Sequence, residues 1–201
     1  MADISQLASV GIHSSLFGAQ YHGFRMNPPL KENEVSDFET RWSISLPDEF
    51  RSFLLLVGNG GAGPGYGLYP LGQSMHLREL IDCDSNTLKP EDPFPHTQPW
   101  NDLTGKPYPN NVSDLGLYDE QAAAFLPRYF DPKWSYGAIP LSTRGCGLEV
   151  ILVVTGVERG TVWHDDRAAY DGIYPVTQAG RERIGFLDWY RAWLDEALVK
   201  Q

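Results

Sequence analysis

Cysteine is scarce in this chain, with Cys83 and Cys146 the only two among 201 residues. Two cysteines cannot build a disulfide framework, so they read as reduced thiols in a reducing compartment. Basic side chains are also few. Lysine and arginine total 16 against 26 aspartates and glutamates, and the formal net charge is −10. A nucleic-acid binder needs a basic face to neutralise phosphates, and an anionic membrane selects the same sign, so the charge argues against both partners. Long apolar runs are missing as well. The stretches Phe53–Val57 and Val150–Val154 fall far short of the roughly 20 residues a membrane span requires. Met1-Ala2-Asp3-Ile4-Ser5-Gln6 puts no cationic region ahead of an apolar core, so no secretory signal is read there. The expectation is a soluble, cytoplasmic protein whose acidic surface favours basic partners, with an on-rate that falls as salt rises.

Catalytic motifs are thin. His13, His22, His76, His96 and His164 are scattered, with no H-E-x-x-H and no C-x-x-C, so no metal site is expected. There is no G-x-x-x-x-G-K-[ST] phosphate loop, and Gly72-Gln73-Ser74-Met75-His76 lacks the closing glycine of a nucleophile elbow. Gly58-Asn59-Gly60-Gly61-Ala62-Gly63 does match G-x-G-x-x-G. A dinucleotide site needs a strand before those glycines and a helix N-terminus after them. Here the preceding run has helical period, and Pro64-Gly65-Tyr66-Gly67 cannot open a helix. The run reads as a helix-to-strand turn, and no cofactor is expected.

What is present is the patterning of one folded domain. Hydrophobic residues make up 42% and charged residues 21%, as in a globular chain that buries a sizeable core without staples. Residues 1–28 are weakly patterned and read as a loosely attached lead segment, with one short element near Leu7–Val10. Helical period starts after Lys31, with Val35, Phe38 and Trp42 on one side. Pro47 then suits the first position of a second helix, Asp48 and Glu49 complement its dipole, and Phe50, Phe53, Leu54 and Val57 form its apolar stripe. Short strands are read at Gly67–Leu71, Tyr136–Ser142, Leu148–Val154, Thr161–His164 and Ile173–Val176, and a helical turn at Leu77–Ile81. Phe186, Leu187, Tyr190, Trp193, Leu194, Ala197 and Leu198 mark a strong terminal helix. The fold class is α+β: a mostly antiparallel sheet with N-terminal helices, a C-terminal helix, and helices covering one face.

Residues 82–131 differ from the rest. They carry seven of the fifteen prolines and nine acids against three bases. They read as a Pro-rich acidic insertion, a surface loop system that could also form part of a partner-binding rim. Trp163 lies beside His164, Asp165 and Asp166 at the end of a hairpin strand. An aromatic anchor beside acids suits a basic partner. The residues proposed for partner binding are Tyr66, Asp82, Asp84, Trp163, Asp165 and Asp166.

Leu46-Pro47-Asp48-Glu49-Phe50-Arg51-Ser52-Phe53-Leu54, followed by Gly58-Asn59-Gly60-Gly61, resembles the SUKH superfamily. Glu39 stands where that family's helix carries a glutamate, and Gly156, Gly160 and Val162-Trp163 are similar to its glycine-x-valine-tryptophan hairpin. The resemblance covers roughly residues 29–198 and implies one SUKH-like domain over 29–201 with the acidic insertion inside it. It also implies a non-catalytic protein-binding role. Bacterial members are similar to immunity proteins that neutralise polymorphic toxins, many of them nucleases. Fungal relatives regulate cell-wall assembly and signalling. The implied partner here is a basic toxin domain, with the chain a monomer or weak dimer. Two other readings stay open: a regulatory scaffold that docks endogenous enzymes, and an enzyme or nucleotide binder using the Gly58–Gly67 loop.

Overall fold

The structure is a computed structural model, and it describes residues 16–73, 89–107, 115–178 and 180–199. The Leu77–Ile81 turn and the Leu7–Val10 element lie outside the described residues. Among the described residues, five α-helices frame a four-stranded sheet: α1 (Ala19–His22), α2 (Glu32–Trp42), α3 (Asp48–Leu56), α4 (Leu115–Tyr129) and α5 (Phe186–Val199). The strands β1 (Ala138–Gly145), β2 (Leu148–Val153), β3 (Val162–Asp165) and β4 (Ile173–Pro175) form an antiparallel meander in the order β1-β2-β3-β4. The class is α+β, as the pattern of helices, strands and helix indicated. No helix among the described residues is long and apolar enough to cross a membrane.

The two N-terminal helices start where local chemistry asks them to. The Lys31 N–H donates to the Glu34 carboxylate at 2.8 Å, which satisfies a donor at the head of α2. Pro47 is the N-cap of α3 rather than its first helical residue, and Asp48 and Glu49 occupy the first turn. The α2–α3 link is fixed by Glu39. Its Oε1 accepts the Leu46 N–H at 2.8 Å, and its Oε2 accepts from Arg51 Nε at 3.3 Å. Phe50, Phe53 and Leu54 are buried, as the stripe requires. Val57 is not: it is 36% exposed, because α3 ends at Leu56 and Val57 turns out of the helix.

Alternation along the strands divides the sheet between two cores. Ile139, Leu141, Val150, Leu152 and Val162 pack with α2, α3 and α5 in the larger core. Ala138, Ile151, Val153, Trp163 and Ile173 face the other way and pack with Phe94, Trp100 and Trp134. This corrects two expectations. The second face is not left open, and the described parts of the Pro-rich stretch are more than a surface loop. The Phe94 N–H donates to the Thr155 carbonyl at 2.9 Å, Trp100 bridges Ile173, and α4 buries Phe125 and Tyr129. Aromatic side chains of this stretch, Phe94 and Trp100, thus help cover the second face of the sheet.

The lead segment is corrected too. Leu16, Ala19 and Phe24 are buried in the larger core, so residues 16–28 are not loosely attached. Met26 bridges Gly61, Gly61 bridges Leu68, and Leu68 bridges Ser142 of β1. The expected strand at 67–71 is thus a set of single bridges alongside β1. The Tyr66 and Tyr69 N–H groups donate to the Thr143 and Leu141 carbonyls at 2.9 and 2.8 Å.

Candidate functional site

The glycine-rich turn is spent on the protein itself. The N–H groups of Gly58, Asn59, Gly61 and Ala62 donate to the carbonyls of Phe53, Pro28, Leu68 and Arg25. A phosphate cradle needs such amides unpaired. Gly61 has a φ of +106°, and a side chain there would press into the Arg25 carbonyl. The turn follows helix α3, as its period indicated, and the Tyr190 hydroxyl holds it from α5 by donating to the Ala62 carbonyl at 3.0 Å. Its role is to bring residues 25–27, 58–63 and 66–69 side by side.

That close stacking builds a surface groove of about 410 Å³. One wall is Leu16, Phe17, Pro64 and Gly65; the other is Trp189, Ala192, Trp193 and Glu196 of α5. Phe17 and Tyr21 are 58% and 66% exposed. Both rings rest on Tyr66, with centroids 5.1 and 4.7 Å from it. Behind the groove, His22 packs edge-on against Trp193 at 5.7 Å. Tyr66 therefore sits in an aromatic triad that includes Phe17 of the groove wall. Phe17, Tyr21 and the α5 wall were not singled out from sequence. Phe17 lies in an unpatterned segment, and Trp193 reads as part of a core stripe. The available signal was Gly18, which fits a close backbone approach.

The other proposed contacts are placed differently. Asp82 and Asp84 lie outside the described residues. Trp163 is fully buried, its indole N–H donating to Thr161 Oγ1 at 2.9 Å, so it cannot serve as an exposed anchor. Asp165 is enclosed by Arg167, which donates from Nε at 2.8 Å and Nη2 at 2.6 Å, and by the Ser135 hydroxyl at 2.8 Å. Burial pushes its carboxyl up, but the Arg167 charge and these hydrogen bonds outweigh that and hold it below the usual range. Asp166 is 3% exposed and accepts from Arg144 and the Tyr174 hydroxyl. Both carboxylates are committed to internal partners, leaving no surface charge here for a basic protein. Strand alternation is the reason: Trp163 and Asp165 point into the second core's side, and His164 points to the opposite face.

Two titratable groups nearby are shifted far. Burial and then the Asp165 charge push the Glu149 carboxyl up to about 8, and Glu149 Oε2 has no hydrogen-bond partner among the described residues. Burial and then the Arg144 charge lower the His164 imidazole to about 4. These groups belong to a buried polar network at the end of the sheet. No group of three or more His, Cys, Asp or Glu among the described residues is placed to hold a metal ion.

Comparison with known proteins adds one match. The model of the SMI1 / KNR4 family (SUKH-1) matches residues 29–178, well over half of the chain. No curated protein and no solved structure matches it.

Proposed function

The chain belongs to the SMI1 / KNR4 family (SUKH-1), and from that premise we propose that it is a non-catalytic binding protein of the immunity type. It would bind a cognate toxin domain and occlude that domain's active site. The family match is the observation that carries the reading. A net charge of −10 is consistent with it, because an acidic surface attracts a basic toxin such as a nuclease and speeds the encounter. The groove lined by Phe17, with Tyr66 and Tyr21 packed beside that ring, supports it as well. Exposed aromatic side chains beside a surface depression are common anchors of a protein interface. A standard interface of about 1,600 Å² would extend well beyond the groove itself.

The test is association with the toxin domain encoded beside this chain. The two proteins, co-expressed with the toxin inactivated, should copurify at low salt and separate as ionic strength rises. Absence of a complex at any salt concentration contradicts the reading. Recovery of housekeeping enzymes in its place would favour the regulatory-scaffold alternative.

A further inference from the structure

Thr143, Glu149 and Asp165 form one cross-strand row over β1, β2 and β3. Directly opposite residues hold their Cβ atoms about 4.5–5.5 Å apart, so the two acids are neighbours. Asp165 has a cation: Arg167 donates to both of its oxygens, and the Ser135 hydroxyl donates as well. The charge that acts on Glu149 is that of Asp165. Tyr69, from the segment beside β1, reaches Glu149 Oε1 with its hydroxyl at 3.4 Å, and Oε2 is buried with no hydrogen-bond partner among the described residues. Arg144, next along β1, is engaged by Asp166, and His164 points to the opposite face. Two carboxyl groups in one enclosed site do not ionise together, and the one without a cation keeps its proton.

The Thr143 hydroxyl closes the β1–β2 hairpin. Its Oγ1 accepts the Gly145 N–H at 3.0 Å and donates to the Leu148 carbonyl at 3.0 Å. The tip between them, Gly145-Cys146-Gly147, is left-handed throughout, with φ of +90°, +53° and +74°. That region disfavours a residue with a Cβ, so at Cys146 the tip relies on its bonds more than on local preference. The same hydroxyl hydrogen-bonds the Glu149 carboxyl in a way that favours the charged form. A hydroxyl has one proton to donate. A carboxylate is a stronger acceptor than a peptide carbonyl, whereas a neutral carboxyl is not.

We infer that Thr143 is a two-position donor that makes this hairpin tip a pH-sensitive switch, closed on the Leu148 carbonyl while Glu149 is protonated and loosened when the hydroxyl turns to the Glu149 carboxylate. The proton that Glu149 releases goes to solvent, and Thr143 exchanges one hydrogen-bond acceptor for another. Burial and the Asp165 charge push the Glu149 carboxyl up to about 8, so the tip loosens as pH rises through that value. The change reaches beyond the turn, because the Tyr66 ring lies against Gly145 and carries the Phe17 and Tyr21 rings.

Carbon-detected NMR of the full-length chain tests this across the Glu149 midpoint. Cys146, which is exposed, is replaced in every sample by Cys146→Ser, so that a thiol does not titrate in the same range. The Glu149 carboxyl, Thr143 Cβ and Leu148 carbonyl signals should move together with one midpoint near 8. Glu149→Gln, of the same shape, should abolish the response at Thr143 and Leu148. Thr143→Ser keeps a hydroxyl and should keep the Leu148 response. Thr143→Val should lose that response and raise the Glu149 midpoint, because a hydrogen bond to the charged form is gone. If the valine variant does not fold, the serine and glutamine variants carry the comparison. Three results overturn the inference. One is a Glu149 carboxyl that titrates in the ordinary carboxylate range. Another is a flat Leu148 signal while Glu149 titrates. The third is an unchanged Leu148 response in Glu149→Gln.

Discussion

Gly18 and Gly65 meet backbone against backbone: a methyl group on Gly18 would overlap the Gly65 carbonyl oxygen. Gly65 in turn lies against the Thr143 carbonyl of β1, again with no room for a side chain. Three chain segments are stacked at that point, and the stack sets the position of Phe17 in the groove wall and of Tyr66 beside it.

Gly18→Ala should therefore do more than strain one dihedral angle. A left-handed φ of +78° costs about 1–2 kcal/mol for a residue with a Cβ, and the overlap with Gly65 must also be relieved by displacing residues 16–18. Urea unfolding should show a loss of about 2 kcal/mol or more. Gly180→Ala is the control. Its φ is +80° and, its chain neighbours aside, no atom of the described residues lies within 4 Å of the added carbon, so only the dihedral cost of about 1 kcal/mol should appear. Equal losses at the two sites would show that the stack is loose.

Glu39 joins α2 to α3 through the Leu46 N–H and Arg51. Glu39→Ala leaves the N–H of a residue that is 1% exposed without its acceptor. The expected cost is about 1–3 kcal/mol, measured by chemical denaturation. Glu39→Gln keeps an acceptor and should recover most of it. The prediction fails if alanine and glutamine variants unfold at the same urea concentration.

Trp163 and Asp165 should matter for stability, not for direct recognition. Trp163→Ala opens a cavity in the second core at a cost of about 3–5 kcal/mol. Asp165→Ala strands the largely buried Arg167 guanidinium, again at about 3–5 kcal/mol. Any loss of partner affinity should vanish when the folded fraction is taken into account. A folded variant with weakened binding would instead place this strand end in the interface.

Stability should also depend on pH in a defined way. Glu149 titrates near 8 when folded and near 4.5 otherwise. Between those values the unfolded chain has lost the proton that the folded chain keeps, so stability falls as pH rises. His164 works in the opposite direction. Its folded value of about 4 lies below the ordinary 6.5, so stability falls as pH drops through that interval. The two oppose each other below 6.5, while from 6.5 to 8 Glu149 acts without that opposition. Thermal melts should therefore lose stability between pH 6.5 and 8, and Glu149→Gln should flatten that slope. An unchanged slope in the glutamine variant contradicts the assignment.

Much of this architecture was legible in the residues because local pattern and tertiary role agreed. The apolar runs between glycine-containing turns placed the strands within three residues of where they lie, and the stripe from Phe186 to Leu198 marked α5. The helical period before Gly58 also marked α3, which the glycine-rich turn follows. The failures share a cause. Helix α4 lies in a stretch whose prolines and acids suggested loops, and composition there outweighed Phe125 and Tyr129, which are 2% and 0% exposed. Residues 16–28 have little regular period because they pack through single bridges and buried side chains rather than through a long element. The groove was hidden for the same reason. Leu16 and Phe17 meet Trp189 and Trp193 across more than 170 positions of chain, and no local pattern encodes that contact.

If a toxin domain is encoded beside this chain, growth of cells carrying its active form is the measurement closest to the central claim. Expression of the intact chain should restore growth. Cells that die equally with and without the chain, at matched toxin levels and with soluble protein present, would contradict the account.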